Sequence, residues 1–567
     1  MERTKRKLNY NLIIVNLLIL AILGGIFIYP FASRHTIFNG DDLQFHIQRI
    51  YEMIQNIKHG NLFPGIFTYS YFKIGEPYGI FYPQVTLLPF ALIGQWTNLV
   101  NAFYGGVYFY TLLGMGLMYF VSYKLFRNRF ASLISASVWA FANCRTYNLY
   151  ARMDVGEFIV MSFVPLVIYG FYQIIRGKYQ DWPYLAIGVA LILMTHVLSS
   201  VIIVTFLVLT YIVTLCWTNH RFKKFKTFAL SAVLALMAAS ITLFSLIQQK
   251  HSLGEIGIIK SMYYGDSLSQ IIDSSLNNSF VSVHANGVYA IGLMALIILV
   301  LGLINFKRLT SLNQYLEILG ILTLIMSSSA FPWKTLSDIM PQIDVIQFPM
   351  RFLLITTSVI PFIAAELYAK FSQKINHTKV QQWVGLAITI LLILLSWMKV
   401  NQIPTTKFAR SYVVESNLPT NFDQQAKTAA LCDYLPPAAQ KNITEITKHV
   451  ALVDEHKVKL NPQSKPNELI FKVKQNSQKL DLPVLYNENL KAFVAGKQIS
   501  VEKSKRGTVL LKNVGKGTVS VKYQTGISSI LISILSILSW IVLIGLVCFK
   551  SAFKQLFKIL HLDNLLD

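Results

Sequence analysis

Apolar stretches long enough to cross a lipid bilayer recur along this chain from Leu12 to Val547. A helical span needs about 20 apolar residues, because the hydrocarbon layer is about 30 Å thick. The 567 residues are 54% hydrophobic and 14% charged, with a mean hydropathy of +0.48, which a soluble domain of this length would not tolerate. We therefore expect a polytopic α-helical membrane protein that retains its first apolar stretch as a helix.

The basic residues lie in short clusters between the apolar stretches, and these clusters predict the topology. Lys and Arg near helix ends stay in the cytoplasm, so the cluster at 3–7 places the amino terminus inside. The clusters at 124–129, 176–178, 221–226, 307–308, 370–374 and 550–554 are inside by the same rule. This pattern predicts about twelve crossings with both termini cytoplasmic. Because the formal charge of +24 is distributed over these clusters, we expect no nucleic-acid partner.

The apolar run at 184–217 is too long for a single crossing. As one helix it would reach about 51 Å, and both of its ends are predicted to be cytoplasmic. We expect a break at the polar segment 195–200, which brings His196 to the outer face either as a turn residue or as a catalyst. Residues 82–98 contain Pro83 and Pro89 and would spoil the even number of crossings. We interpret them as a re-entrant or interfacial helix.

Three regions follow from this pattern. Residues 1–400 form the membrane module, with a large first extracellular loop at 31–82. Residues 401–525 form an extracellular module, and 526–567 contain the last transmembrane helix and a cytoplasmic tail. Segments 468–474, 508–512 and 518–523 alternate apolar and polar residues at period two, with turn glycines between them. We therefore expect a small extracellular all-β domain of the sandwich type.

Ionisable residues collect at the predicted outer helix ends and avoid the helix centres. Charge within a bilayer is costly, so these positions indicate where chemistry takes place. They lie in four separate loops: Asp41, Asp42, His46, Arg49 and Glu76; Arg145, Arg152, Asp154 and Glu157; His196; and Lys334, Asp344 and Arg351. The four cysteines have neither ligand nor paired spacing, so we expect no metal cluster and no disulfide framework.

The acidic pair Asp41 and Asp42 is the sharpest motif. Adjacent carboxylates can deprotonate an acceptor hydroxyl or hold a divalent ion, since a neighbouring like charge raises one pKa. Asp42, His46 and Arg49 are spaced to share one face of the helix that follows. The alternative is a solvated helix N-cap with no further role.

A second motif, 347–352, places Arg351 at the outer mouth of the tenth predicted helix. A guanidinium there suits a phosphate at headgroup depth, and the alternative is a snorkelling interfacial arginine. Arg145 and Arg152 leave the same two alternatives open. Asp154 and Glu157 open the fourth predicted helix, where capping of the helix dipole is the alternative to a functional role.

Together these features resemble known membrane families. An acidic pair in the first loop, many helices and an outer β domain are similar to the GT-C glycosyltransferases, which use polyprenyl-phosphate-linked sugars. Segments 40–49 (GDDLQFHIQR), 347–352 (QFPMRF), 433–436 (DYLP) and 482–486 (LPVLY) look like bacterial membrane proteins labelled 6-pyruvoyl-tetrahydropterin synthase-related. Those proteins are similar to the YfhO-like family. The chain has no His-rich zinc set, so the pterin label fits it poorly.

The resemblance implies roles for the candidate residues. One of two carboxylates would activate the acceptor hydroxyl: Asp41 or Asp42. Five basic residues would bind or position the donor phosphate: Arg351, Arg145, Arg152, His46 and Arg49. Four further residues are candidates for the same site: Glu76, Asp154, Glu157 and His196. The resemblance leaves open whether a divalent cation, Mg²⁺ or Mn²⁺, binds at Asp41 and Asp42.

These expectations define a leading hypothesis and two alternatives. The leading hypothesis is a glycosyltransferase in a bacterial cell membrane that moves a sugar from a polyprenyl phosphate to a cell-envelope acceptor. Teichoic acid, a glycolipid or a surface polysaccharide would be the acceptor, and membrane lipid and the lipid-linked sugar would be the other partners. The alternatives are a transporter or flippase of envelope precursors, and a non-catalytic envelope-assembly scaffold.

Overall fold

The computed structural model describes residues 10–76, 82–253, 262–280, 287–374, 378–405, 412–413 and 435–549. Helices predominate up to residue 405. They are α1 (Tyr10–Ala32), α2 (Leu43–Lys58), α3 (Leu88–Ile93), α4 (Leu99–Phe126), α5 (Arg129–Ala140), α6 (Asn143–Tyr150), α7 (Val155–Val160), α8 (Val164–Ile175), α9 (Pro183–Leu193), α10 (Val197–Trp217), α11 (Arg221–Ala238), α12 (Ser240–Leu253), α13 (Leu268–Leu276), α14 (Leu293–Ile304), α15 (Ser311–Met326), α16 (Trp333–Ile339), α17 (Leu353–Lys374) and α18 (Lys379–Trp397). After them come α19 (Pro437–Lys441), α20 (Ile443–Thr447) and α21 (Ile527–Cys548).

Within the described residues, six helices are long and apolar enough to cross a membrane. They are Asn11–Ala32, Leu99–Phe126, Val197–Trp217, Pro349–Gln373, Val380–Ile403 and Ile527–Cys548. A seventh candidate is the pair α11 and α12, which bends by 62° at its break. The expected count of about twelve crossings is not confirmed. One reason is that the region 129–175 is divided into four helices of at most 12 residues, each shorter than a bilayer span.

Two apolar segments, 184–217 and 82–98, do not form single membrane-spanning helices. The run 184–217 is divided between α9 and α10, and the break at 194–196 confirms the expected interruption beside His196. Residues 82–98 contain the six-residue helix α3, which at about 1.5 Å per residue is too short to cross the hydrocarbon. A helix of this length does not cross by itself, and the re-entrant or interfacial placement of this segment stays a prediction.

Helix α17 lies at the centre of the membrane module. Of its most apolar window, 89% is buried inside the protein, against 22–50% for the other five candidate spans. On one side it packs on α15, where the Thr323 and Thr356 hydroxyl oxygens are 2.8 Å apart. Its first turn is preceded by the 3₁₀ turn Pro349–Phe352, so this central helix sets the position of Arg351.

Two carboxylates lie inside the membrane helices, so the expectation that ionisable residues avoid helix centres is wrong. Glu366 of α17 accepts hydrogen bonds from Thr310 and Asn313 and pairs with Lys370 at 2.6 Å. Glu317 of α15 is 0% exposed, and neither of its carboxylate oxygens has a hydrogen-bond partner among the described residues. Both side chains face other helices and not lipid, and of the two only Glu366 has donors and a cation among the described residues that offset its charge.

The carboxy-terminal part folds into two five-stranded antiparallel sheets. One has the order β10 (Glu502–Lys503), β11 (Thr508–Val514), β7 (Ser477–Leu485), β3 (Val450–Val453), β4 (His456–Lys459). The other has the order β5 (Gln463–Lys465), β6 (Glu468–Val473), β12 (Gly517–Tyr523), β8 (Leu490–Val494), β9 (Lys497–Ile499). All three period-two segments are strands, which confirms the expected all-β domain. We call residues 435–525 the β domain.

Part of the first loop is built into the β domain. Ile66 is 0% exposed and belongs to the apolar core between the two sheets. The Asn467 side chain accepts a hydrogen bond from the Gly65 amide at 2.7 Å, and the Thr68 hydroxyl donates to the Lys465 carbonyl at 2.8 Å. A two-residue strand, β1 (Ile37–Phe38), also pairs with β2 (Tyr412–Val413). The contacts of Gly65, Ile66 and Thr68 fix the first loop against the β domain, and the β1–β2 pair ties its beginning to the segment that precedes this domain.

Candidate functional site

Two segments more than 100 residues apart come together at the start of α2. The Asp42 amide donates a hydrogen bond to the Arg152 carbonyl at 2.9 Å. Gly40 makes this approach possible, since a Cβ there would lie 2.5 Å from Met153 Cγ and 3.0 Å from the Ala151 carbonyl oxygen. The chain thus places the acidic pair directly beside the 151–154 turn.

Arg152 is at the centre of a network that we call the ion-pair cluster. Its guanidinium lies 3.7 Å from the Asp42 carboxylate, 3.2 Å from that of Asp154 and 2.9 Å from that of Glu157. Glu157 also accepts from Arg351 Nε at 3.0 Å, which connects the cluster to the start of α17. The side chains are 2–8% exposed, except that of Asp42, which is 39% exposed. Asp42 is therefore the member that meets solvent.

The side chain of Asp42 does not cap the helix that follows it. Asp42 is the N-cap residue of α2, but its side chain makes no capping hydrogen bond. Asp154, by contrast, caps α7 by accepting from the Glu157 amide at 2.9 Å. Capping thus accounts for part of the role of Asp154, whereas the Asp42 carboxylate faces Arg152 instead.

Two histidines lie against the ion-pair cluster. His46 Nδ1 faces Arg49 Nη1 at 3.2 Å and accepts from it, so the proton lies on Nε2, 3.8 Å from the Asp154 carboxylate. Burial lowers the pKa of His46 to about 3 and also lowers that of His196. His196 caps α10 and bonds the Ser199 hydroxyl at 2.8 Å. Both imidazoles are neutral at pH 7, and they add hydrogen-bonding capacity without adding charge.

Tyr82 covers the two histidines. Its ring centroid is 6.0 Å from that of His46 and 5.7 Å from that of His196. The Arg49 guanidinium stands 5.0 Å from the same ring, and its Nη2 donates to the Tyr82 carbonyl at 3.1 Å. The Tyr82 ring therefore forms an aromatic wall of the site, of the kind on which a sugar ring can stack.

The two aspartates of the ion-pair cluster differ in their carboxyl pKa. Burial of the carboxyl group is the main cause that raises the pKa of Asp42 to about 7. The charge of Arg152 opposes this rise, and the charges of Asp154 and Asp41 add to it. Because 39% of this side chain is exposed, water offsets part of that rise. Burial opposes ionisation of Asp154, but the charge of Arg152 and the hydrogen bond from the Glu157 amide outweigh it and hold that pKa well below its usual value. Of the two, Asp42 is therefore the carboxyl with the higher pKa.

The structure separates Arg145 from this site. Its side chain is 0% exposed and donates to the Thr111 hydroxyl and the Ala140 carbonyl. Three aromatic rings surround the guanidinium at 4.2–4.6 Å: Phe27, Trp139 and Phe158. This enclosure leaves no surface for a phosphate, so Arg145 stabilises the helix packing by cation–π contacts instead.

Glu76 is also apart from the ion-pair cluster. It is 2% exposed, and its Oε1 has no hydrogen-bond partner among the described residues. Burial raises the pKa of Glu76 well above its usual value, which favours the neutral acid at pH 7. Its backbone carbonyl accepts from the Phe67 amide at 2.7 Å, so the residue helps to close the first loop on itself.

Sequence reasoning missed Tyr289, which borders the ion-pair cluster. Its hydroxyl is buried and has no hydrogen-bond partner among the described residues. Electrostatically it is coupled to Arg152, Asp41 and Glu157, and its ring lies 4.1 Å from that of Tyr147. Tyr289 is uncharged and lies in an irregular segment between two helices, so its sequence context does not indicate that it borders the ion-pair cluster.

Backbone strain also marks this region. Met153 and Gln347 both have left-handed backbone conformations, with φ of 63° and 61°. Such conformations cost about 1 kcal/mol or more in a non-glycine residue and are frequent at functional sites. Both residues flank side chains of the ion-pair cluster, Arg152 and Arg351, so the strain lies where the cluster is assembled.

No metal site is evident in the described part of the chain, where no group of three or more His, Cys, Asp and Glu side chains is arranged to hold an ion. The carboxylates of Asp42, Asp154 and Glu157 face arginines, which compete with a cation for the same oxygens. Mg²⁺ or Mn²⁺ at Asp41 and Asp42 stays an untested expectation.

An apolar cavity of about 290 Å³ lies between α8, α10, α15 and α17. Its walls are almost entirely hydrocarbon, and they include Phe206 and Ile355. Ile355 follows Arg351 by four residues, and the ring of Phe352 lies 6.1 Å from that of Phe206. The cavity therefore begins about one helical turn from the ion-pair cluster.

Comparisons with known proteins do not name a family. No protein-family model matches the chain, and no curated protein matches it. Among solved structures, the chain is similar to the apo oligosaccharyltransferase of Archaeoglobus fulgidus, with 12% sequence identity and a TM-score of 0.36. The match covers 78% of this chain and 59% of that one, so the chain spans less than two thirds of the length of that protein. A TM-score of this size does not establish a shared fold. The resemblance to GT-C and YfhO-like proteins therefore remains an expectation.

Proposed function

We propose that this protein is a membrane glycosyltransferase that moves a sugar from a polyprenyl phosphate to a hydroxyl of a cell-envelope acceptor. The observation that carries the proposal is Asp42. Its carboxylate is the solvent-exposed member of a buried ion-pair cluster, and its pKa is raised to about 7. A general base needs both access to substrate and a pKa near the working pH, and Asp42 has both properties.

Asp42 takes the proton of the acceptor hydroxyl as that oxygen attacks the anomeric carbon of the donor sugar. The bond between this carbon and the phosphate oxygen breaks, and polyprenyl phosphate leaves with the bonding electron pair. Tyr82 and the neutral histidines His46 and His196 line the space beside the acceptor. The sugar is thereby joined to the acceptor, and the proton remains on Asp42.

Arg351 supports the donor side of the proposal. Its Nε is held by Glu157 and its Nη1 by the Ile346 carbonyl, while its Nη2 makes no hydrogen bond to a described residue. A guanidinium held in this way can donate to a phosphate oxygen and stabilise the departing charge. The apolar cavity that begins one turn away suits an isoprenoid chain, since its walls offer almost only hydrocarbon.

The test compares envelope glycans from cells that lack the protein and from cells complemented with wild type or Asp42→Asn. Mass spectrometry of lipoteichoic acid, glycolipids and wall polysaccharide is the measurement. We expect one sugar increment to disappear in the deletion strain, to return with wild type and to stay absent with Asp42→Asn. Asp338→Asn is the matched control, because Asp338 is exposed and lies outside the ion-pair cluster.

Unchanged glycans in the deletion strain would contradict the transferase proposal. Equal rescue by wild type and Asp42→Asn would show that Asp42 is not the base. Immunoblots of the membrane fraction must show equal amounts of all variants, so that loss of the increment reports chemistry and not expression.

A transporter of envelope precursors is the second candidate, and Glu317 is the observation that favours it. A buried carboxyl without a partner inside a membrane helix is typical of proton-coupled carriers. Glu317→Gln would abolish envelope assembly if protonation of this group drove transport. If the protein is a transferase, Glu317→Gln retains the sugar increment in full.

A further inference from the structure

The end of the β domain away from the membrane carries a group of lysines that the candidate site does not use. We call them the distal lysines, and they are Lys472, Lys474, Lys479, Lys497, Lys512 and Lys516. Strand register places them together. Lys512 of β11 pairs directly with Lys479 of β7, and Lys472 of β6 pairs with Thr518 of β12. Lys516 lies in the turn between β11 and β12, at the same end of the domain. Both sheets therefore contribute to one basic end.

The distal lysines are largely without acidic partners. All six are exposed, and within the described residues only Lys512 forms an ion pair, with Glu502 at 2.8 Å. Asp454 and Glu455 lie at the same end, but the Asp454 carboxylate accepts from the Lys479 backbone amide. Lys479 lies directly opposite Lys512, so the two like charges repel each other across the strands, and the described ion pair with Glu502 offsets the charge of Lys512 and not that of Lys479.

Topology does not account for this charge. Residues 435–525 contain 16 Lys and Arg against 7 Asp and Glu, a formal charge of +9, although the segment contains no membrane span whose orientation it would set. The expectation that all positive charge lies in the clusters between helices is therefore incomplete. A separate function must explain why the β domain is basic.

The membrane surface does not account for it either. The chain runs from Gly517 at the distal end of β12 to Ile527 at the start of α21. Strand β12 alone, from Gly517 to Tyr523, spans about 20 Å at about 3.3 Å per residue, more than twice the screening length of about 8 Å in physiological salt. Lipid headgroups at the foot of the β domain are thus too far from the distal lysines to bind them.

We propose that the distal lysines bind an anionic, phosphate-bearing polymer of the cell envelope. Six ammonium groups at one end of a rigid sandwich suit a chain with regularly repeated charges, because several weak contacts then act together. Lysine is a point charge without the planar fork of arginine, so it suits a mobile polyanion better than one fixed phosphate. This surface is independent of the reaction at Asp42.

The test measures binding of long-chain inorganic polyphosphate to the full-length protein in nanodiscs of zwitterionic lipid, by microscale thermophoresis. The test variant is Lys472→Gln/Lys474→Gln/Lys479→Gln/Lys516→Gln. The control variant removes equal charge from exposed lysines elsewhere on the β domain, as Lys441→Gln/Lys448→Gln/Lys465→Gln/Lys522→Gln. We expect the test variant to bind about tenfold more weakly or worse, and the control to stay within about threefold of wild type.

Three results would overturn the proposal: no binding by wild type, equal weakening in the two variants, or displacement of the polymer by the same total concentration of monomeric phosphate. The pair Lys472→Gln/Lys474→Gln serves if the fourfold variant is lost in purification. Asp42→Asn should bind polyphosphate like wild type, so a failure of the transferase proposal leaves this result unaffected. Weaker binding at higher salt, with a shallower dependence in the test variant, would support polyanion recognition.

Discussion

Glu157 holds together the two arginines of the ion-pair cluster. Its carboxylate contacts Arg152 at 2.9 Å and Arg351 at 3.0 Å, and its side chain is 2% exposed. Removal of one partner from a buried ion pair leaves the other charge without compensation, which costs far more than the pair contributes. Glu157 therefore connects the 151–157 segment to the central helix α17.

We expect Glu157→Gln to lower the free energy of unfolding by about 3 kcal/mol or more. The control is Glu502→Gln, which removes a carboxylate 2.8 Å from Lys512 on the surface of the β domain. That pair is solvated, so its loss should cost about 1 kcal/mol or less. Thermal melting of both variants in the same detergent is the measurement, and equal melting temperatures would contradict this role for Glu157.

Some contacts of the site could be predicted from the sequence and others could not. The pairing of His46 with Arg49 follows from helical spacing, because residues three apart share a face. The contact between Asp42 and Arg152 joins segments 110 positions apart, and only the folded chain brings them together. Arg145 and Arg152 look alike in sequence, yet aromatic rings enclose the first and carboxylates surround the second.

At the scale of elements, α14, α15 and α17 show two ways of keeping a carboxylate inside a membrane helix. Glu366 is satisfied by Thr310, Asn313 and Lys370. Glu317 has no such partners among the described residues. Its Oε2 lies against Gly302, where a Cβ would be only 2.0 Å away. The glycine thus provides the space that Glu317 occupies between α14 and α15.

These environments predict opposite effects of the same substitution. Glu366→Met removes an acceptor on which buried donors depend, so we expect it to destabilise by about 2 kcal/mol or more. Glu317→Met removes a buried polar group that bonds nothing described, so we expect an unchanged or higher melting temperature. Melting curves of the two variants test this directly. A larger loss for Glu317→Met than for Glu366→Met would contradict the contacts described here.

Elements with a clear period were predictable from the sequence, and interrupted elements were not. The strands β6, β11 and β12 follow from alternation at period two, and the break before α10 follows from the length of the apolar run and its polar segment at 195–200. The region 129–175 was not predictable as four helices, because tertiary contacts place the turns between them. The turn at Met153, for example, is set by packing against Gly40.

At the scale of the whole molecule, Ile66 couples the β domain to the loop of the acidic pair. It belongs to the first loop, yet it is fully buried in the core between the two sheets. Its amide also lies 3.4 Å from the Asn467 side-chain oxygen. The sequence places Ile66 in a loop about 400 residues from that core, and nothing in the pattern of the loop singles this residue out, so the docking could not be predicted.

We expect Ile66→Ala to destabilise the β domain by about 2–4 kcal/mol and to loosen its attachment, since a buried isoleucine leaves a cavity. Hydrogen exchange should increase both in the β domain and in the first loop. The control is Ile470→Ala, because Ile470 is only half-buried on a strand of the same domain. Increased exchange in the β domain alone, with the first loop unchanged, would contradict the coupling.

If Asp42 is the general base, the rate of sugar transfer in isolated membranes must depend on pH. A base with a pKa near 7 must be deprotonated to act, so the rate should increase about tenfold per pH unit below 7 and level off above it. Asp42→Asn should reduce the rate about 100-fold or more and abolish this dependence. A wild-type rate that does not change between about pH 5 and 8, or an Asp42→Asn rate equal to wild type, would show that Asp42 is not the general base.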